Sequence, residues 1–199
     1  MLVFAHVGIA VGAAQLVGTA TGALRRKAAS ASSRVLDYRF LALGALLPDI
    51  IDKPLGLLIL PGVLGTTRSI GHTVFLSLLL LVVAIVEYRR GRRLWLMSLG
   101  LGSLSHLALD EMWAAPHTLF WPALGWGFPN EGRQTLVSYS QALWKLPTER
   151  PWVVLPEVVG ALIVAVMLFR LWRLHAMGRF LRTGRVSEPH PAVRPTKAV

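Results

Sequence analysis

The block VFLSLLLLVVAIV, from Val74 to Val86, passes without a charge, and four further stretches of the chain are nearly as apolar. Such runs approach the roughly 20 residues that carry a helix across a bilayer. They constrain the fold more than any other feature. A backbone inside hydrocarbon must satisfy its polar groups internally, and continuous apolar runs do so as helices. Composition agrees: 16% of residues are charged, 54% are apolar and the mean hydropathy is +0.54, whereas a soluble domain carries about a quarter charged residues. A length of 199 residues leaves room for one bundle and no second large domain. The expected fold is all-α, a polytopic membrane helical bundle of about five spans.

The first span is expected over Leu2–Leu24, with Arg25, Arg26 and Lys27 behind it. A cleaved signal peptide carries its positive charges ahead of the apolar run, so this order reads as a retained span. The second span begins near Phe40 and meets LLPDIIDKP. Pro48 and Pro54 predict a break, since proline lacks the helix donor and clashes with the preceding turn. Phe40–Asp52 is expected as a short tilted helix and Leu55–Leu64 as a half-span or re-entrant piece. Backbone of that kind is tolerated at membrane depth only beside protein or a water-filled cavity, so the break points to a site. Spans three to five are expected over Gly71–Glu87, Leu94–Met112 and Trp152–Phe169. Residues 1–175 thus make the bundle. Residues 176–199 make a basic, proline-rich tail that cannot bury a core and is expected to be disordered.

Sixteen of the 21 Lys and Arg residues lie between spans one and two, between spans three and four, or after span five. Basic loops stay cytoplasmic. The N-terminus is therefore expected outside and the C-terminus inside, in a multi-pass protein of the inner (plasma) membrane. The net charge of +11 then reads as topology, together with attraction of the cytoplasmic face to anionic lipid, and nucleic acid is not expected as a partner. Trp113, Trp121, Trp126 and Trp152 fall at the outer interface and Trp95 and Trp172 at the inner one, as an aromatic belt requires.

On this topology seven metal-capable side chains share the outer face: His6, Asp49, Asp52, His72, His106, Asp110 and His117. Asp49 and Asp52 stand three residues apart on one helix face, and His106 and Asp110 are one turn apart in SHLALD. Ionisable groups within spans are costly and mark function. The chain has no cysteine, so nitrogen and oxygen must hold any metal. That mixture suits zinc, manganese or iron and is typical of hydrolytic sites. Plainer roles compete. Asp49 and Asp52 can cap a helix or pair with Lys53 and Arg68, His72 and His106 can bridge helices by hydrogen bonds, and His117 can be an ordinary loop residue. Arg68 can hold a phosphate or satisfy an aspartate. A transporter is disfavoured, because the polar groups gather at one end and do not line a path across the bilayer.

Taken in order, His6, LLPDIID, RSIGHT, SHLALD and LFWP make residues 1–126 resemble the YdjM-like family of membrane-bound metal-dependent hydrolases, itself similar to zinc-dependent phospholipase C. The resemblance implies a helical fold that holds a divalent metal (zinc before manganese or iron, one to three ions) through His6, Asp49, Asp52, His72, His106 and Asp110. It also implies hydrolysis of a phosphoester on a membrane lipid or lipid-linked substrate. Asp52 would bind metal or orient the attacking water, and Arg68 would neutralise phosphate charge. Thr67 stands where many members carry a histidine. The competing expectation is a non-enzymatic membrane protein whose histidines and aspartates hold a structural metal or an interhelical network.

Overall fold

The computed structural model describes residues 2–25, 36–91, 94–130, 132 and 135–185, and among these every regular element is helical. The elements are α1 (Val3–Arg25), α2 (Tyr38–Pro54), α3 (Pro61–Leu64), α4 (Val74–Gly91), α5 (Trp95–Leu109), α6 (Pro116–Leu119), α7 (Leu136–Glu149), α8 (Val154–Arg173) and α9 (Met177–Thr183). A single π turn, Leu55–Ile59, follows α2, and a 3₁₀ turn, Ile70–His72, precedes α4.

Asp37 starts α2. Its carboxylate accepts from Arg39 N at 3.1 Å and is gripped by the Arg39 guanidinium at 2.7 and 3.0 Å. Its own N–H donates to Ser98 Oγ at 2.9 Å, which ties the start of α2 to the start of α5. Helix α2 then runs through Pro48 to Pro54. The expected break at Pro48 and Pro54 is therefore corrected. One lost donor in a helix costs about 3 kcal/mol, and packing of an element against its neighbours outweighs propensity. The chain breaks later, at Leu60 (φ −130°, ψ 42°). Before that, the backbone widens into the π turn, in which Leu60 N donates to Leu55 O at 2.8 Å. Such widening is a recognised outlet where proline has removed a helical hydrogen bond.

Helices α2 and α5 approach closely enough that their glycines are obligatory. A Cβ on Gly44 would overlap the Leu99 carbonyl, and one on Gly102 would overlap the Leu41 carbonyl. Helix α1 lies along α8, and Glu157 at the start of α8 accepts from Phe4 N and Ala5 N, each at 2.9 Å. That bond satisfies two of the N–H groups left open at a helix start. At the opposite end, Val11, Tyr38, Leu41, Met167, Leu171, Ala176 and Phe180 form an apolar cluster.

Phe180 belongs to α9, within the tail expected to be disordered. That expectation is corrected for residues 177–183, because Tyr38 N donates to Gly184 O at 2.9 Å and Arg39 Nη1 to Leu181 O at 2.5 Å, docking α9 on the start of α2. The remainder of the tail, from residue 186, lies outside the described residues.

Among the described residues one helical stretch, Pro151–Arg173 with 23 residues, is long and apolar enough to cross a bilayer unaided, and Val3–Thr19 and Trp95–Leu109 are shorter apolar helices. The expectation of about five spans was broader. Helix α5 stops at Leu109 because Glu111 takes the left-handed conformation at φ 52°. Helix α2 carries Asp49, Asp52 and Lys53, and α4 ends in Glu87, Arg89 and Arg90. The interior is strongly polar: His6, Asp52, Ser69, His72, Thr73, Ser77, Ser98, Ser103 and His106 are all buried. Leu16, Val17, Val82, Leu155 and Leu162 face outward.

Candidate metal centre

Four segments bring their chemistry to one end of the bundle. Helix α1 places His6 in its first turn, and the last turns of α2 place Asp49 and Asp52. The 3₁₀ turn places His72, and α5 places His106 in its last turn with Asp110 at its C-cap. Ser77 and Ser103 bond to each other at 2.8 Å and join α4 to α5.

Asp52 has no oxygen to spare. Oδ1 accepts from Ser69 Oγ at 2.8 Å and Gly71 N at 2.9 Å, while Oδ2 accepts from Ser69 N at 2.6 Å and His72 N at 3.1 Å. His72 Nδ1 also meets Oδ2 at 2.7 Å. A carboxylate surrounded by donors is an acceptor, so His72 carries its proton on Nδ1. His106 Nδ1 faces the Ala45 carbonyl at 2.7 Å. A carbonyl only accepts, so His106 too is protonated on Nδ1. In the neutral rings both Nε2 atoms are bare lone pairs, and they stand 3.2 Å apart. Two lone pairs at that distance repel unless a cation or a proton lies between them. Metal-ligating histidines are oriented in this way, with the second ring N–H donated to a carboxylate or a backbone carbonyl.

The other donors surround the same point. His72 Nε2 lies 3.7 Å from Asp49 Oδ1 and 3.8 Å from Asp110 Oδ2, and His106 Nε2 lies 4.0 and 3.9 Å from those atoms. His6 Nε2 is 3.2 Å from Asp110 Oδ1. That approach is not aligned as a hydrogen bond, and both ring nitrogens of this fully buried histidine lack a hydrogen-bond partner. Neighbouring ligands on a tetrahedral ion with bonds of ~2.1 Å stand about 3.4 Å apart. The observed spacings fit such an ion, which would take His6 through Nε2, the nitrogen beside Asp110 Oδ1. Two triads, His6–His106–Asp110 and Asp49–His72–His106, can each hold a metal ion.

Each carboxylate also has a cation on its outer side. Lys53 Nζ bonds Asp49 Oδ2 at 2.6 Å, and Arg68 Nη2 bonds Asp110 Oδ2 at 3.1 Å. Thus Arg68 pairs with Asp110 and not with Asp49 or Asp52, and it stands at the rim with a side chain 42% exposed. His117 lies apart on α6, exposed, and Thr67 is half-buried beside Arg68. Sequence reasoning missed the Ala45 carbonyl and Ser69, which carry no signal of their own. It also missed Glu157, which an acidic residue opening an apolar span could have flagged.

A model of the YdjM inner membrane protein family matches residues 1–174 of this chain. No curated protein matches it, and no solved structure does.

Proposed function

The chain belongs to the YdjM inner membrane protein family, and from that premise we propose that it is a multi-pass, metal-dependent hydrolase of a phosphoester, acting at the outer membrane face on a lipid or lipid-linked molecule. The observation that carries the metal is the pair of unprotonated Nε2 atoms of His72 and His106, 3.2 Å apart in a fully buried setting. His6, Asp49, His72, His106 and Asp110 would hold the ion. When bound, a divalent ion, zinc before manganese or iron, supplies a water made nucleophilic near neutral pH and stabilises charge on phosphoryl oxygens. The donor set has no sulfur and is assembled from four segments, which suits an open catalytic ion better than a closed structural one.

The protein's own groups have distinct tasks. Asp52 is a positioning residue, since both oxygens are committed to Ser69, Gly71 and His72. Lys53 and Arg68 bond Asp49 Oδ2 and Asp110 Oδ2 from the outer side, which leaves Asp49 Oδ1 and Asp110 Oδ1 turned inward. Arg68, partly exposed, neutralises phosphate charge. Inverted patterning supports the multi-pass reading, because serines and histidines are buried while leucines and valines face out. Exposed Trp113, Trp126 and Trp152 lie toward the metal-centre end and Trp172 toward the other, as in interfacial belts. The basic cytoplasmic face would meet anionic lipid.

One observation favours a second reading. A proton shared between His72 and His106 would also relieve their repulsion, and the network would then be interhelical glue in a non-enzymatic protein. Metal analysis of the purified protein separates the two. In the hydrolase reading, His106→Ala and Asp110→Asn stay folded and membrane-inserted, and lose metal and turnover together on a panel of phospholipids and lipid-linked phosphates. Metal-replete parent protein that turns over no phosphoester would favour a structural ion. Unfolding of both variants would favour the glue.

A further inference from the structure

Beside the metal centre lies a cavity of about 320 Å³, lined by Arg68, Asp110, Glu111, Arg150, Trp152 and Val153 among others. Asp110 belongs to both places: its carboxylate faces His6, His72 and His106 and also forms the cavity wall. Building on the phosphoester reading, we propose that this cavity is the anion pocket of the site. Its ligand is a phosphate group held between Arg68 and a second guanidinium, Arg150, which the turn between α7 and α8 brings to the wall.

Several facts converge on an anionic ligand. A guanidinium offers five N–H donors in a planar fork suited to phosphate. Arg68 uses one of its donors, on Asp110, and its side chain remains 42% exposed. Arg150 makes no ion pair among the described residues, although Asp110 and Glu111 line the same cavity. The rest of the wall is made partly of Leu109, Ala114 and Ala115. Asp110 is neutralised from both sides, by Arg68 and by any cation at the centre, so it does not repel an incoming phosphate as a free carboxylate would. Glu111 is the remaining negative charge and sets a sign for the test. Arg150 and Trp152 fall beyond RSIGHT and SHLALD, so the pocket joins the start of α8 to the segments that carry the centre.

The test uses full-length detergent-solubilised protein loaded with zinc, and inorganic phosphate as the probe, with binding followed by calorimetry. Arg150→Gln is expected to weaken phosphate binding about 10- to 100-fold, the worth of a charge-assisted hydrogen bond, with zinc content and melting temperature unchanged. Arg150→Lys restores part of the loss, and Glu111→Gln tightens binding. Competition by phosphatidate in mixed micelles and by soluble glycerol phosphate then tells the source of the phosphate. Preference for either supports the pocket. Equal phosphate affinity in the parent and Arg150→Gln, or weaker binding by Glu111→Gln, overturns it. Because the readout is binding, a parent that hydrolyses nothing but loses phosphate in Arg150→Gln keeps the pocket and discards the hydrolase. A parent that hydrolyses a phosphoester but ignores Arg150 does the reverse.

Discussion

At the scale of single residues, Asp52 fixes the orientation of the His72 ring. It accepts from two backbone N–H groups of the 3₁₀ turn, from Ser69 on both main and side chain, and from the ring it orients. Asp52→Asn keeps the shape but replaces one acceptor oxygen with a donor that faces other donors. The expected result is a stability loss of about 1–3 kcal/mol from the unsatisfied groups and metal affinity lower by about 10- to 100-fold, as for other partners of ligating histidines. Titration of the apo variant with zinc reads the second effect, and unchanged affinity would show that the ring needs no such support. The residue types at this site were legible in the chain, since histidines and aspartates in apolar spans have few other uses. Their division of labour was not. Asp49 and Asp52 look alike in PDIID, and only the fold turns one toward the His72 and His106 Nε2 atoms and the other into the turn of residues 69–72.

Among elements, the contact of α2 with α5 sets the geometry of the centre, because it carries Asp49 and Asp52 on one side and His106 and Asp110 on the other. Its closeness depends on backbone touching backbone at Gly44 and Gly102. Gly102→Val would force the two helices apart, and overpacking of this kind costs about 1–3 kcal/mol or more. We expect a lower melting temperature together with lost metal. Gly127→Ala is the control, since nothing stands within 4 Å of its Cβ position. Equal melting curves for both would remove the close crossing from the account. The helices themselves were readable from apolar runs. Where the second one breaks was not, since proline reports only its own lost hydrogen bond. Whether a helix continues through that loss depends on what it packs against.

For the whole molecule, the distribution of charge and the distribution of burial are complementary. Arg39, Arg170, Arg173, Arg179 and Arg182 lie toward the end where α9 docks on α2, and His6, Asp49, Asp52, His72, His106 and Asp110 gather at the other. Under the proposed orientation, with the basic loops cytoplasmic, the centre would face outward. The cysteine-free chain makes this testable with single cysteines and an impermeant thiol reagent on intact cells. Gly91→Cys is expected to stay unlabelled and Asn130→Cys to react. The opposite pattern would invert the topology and move the centre to the cytoplasm.

Local chemistry in the chain was sufficient to indicate its helical class and its family, and to single out His6, Asp49, Asp52, His72, His106, Asp110 and His117 as metal-capable groups at one face. The helical class follows from hydropathy and the metal-capable groups from the cost of ionisable residues in hydrocarbon, both properties of short segments. The family rests on the resemblance carried by His6, LLPDIID, RSIGHT, SHLALD and LFWP in order. Tertiary structure alone decided the rest: the protonated nitrogen of His72 and of His106, the pairing of Arg68 with Asp110, the docking of α9, and the arrival of Arg150 at the wall shared with Asp110. Each of these depends on contacts between residues tens of positions apart in the chain. Hydrogen-bond direction and charge pairing are settled by distances of a few ångströms, which no spacing along a sequence contains.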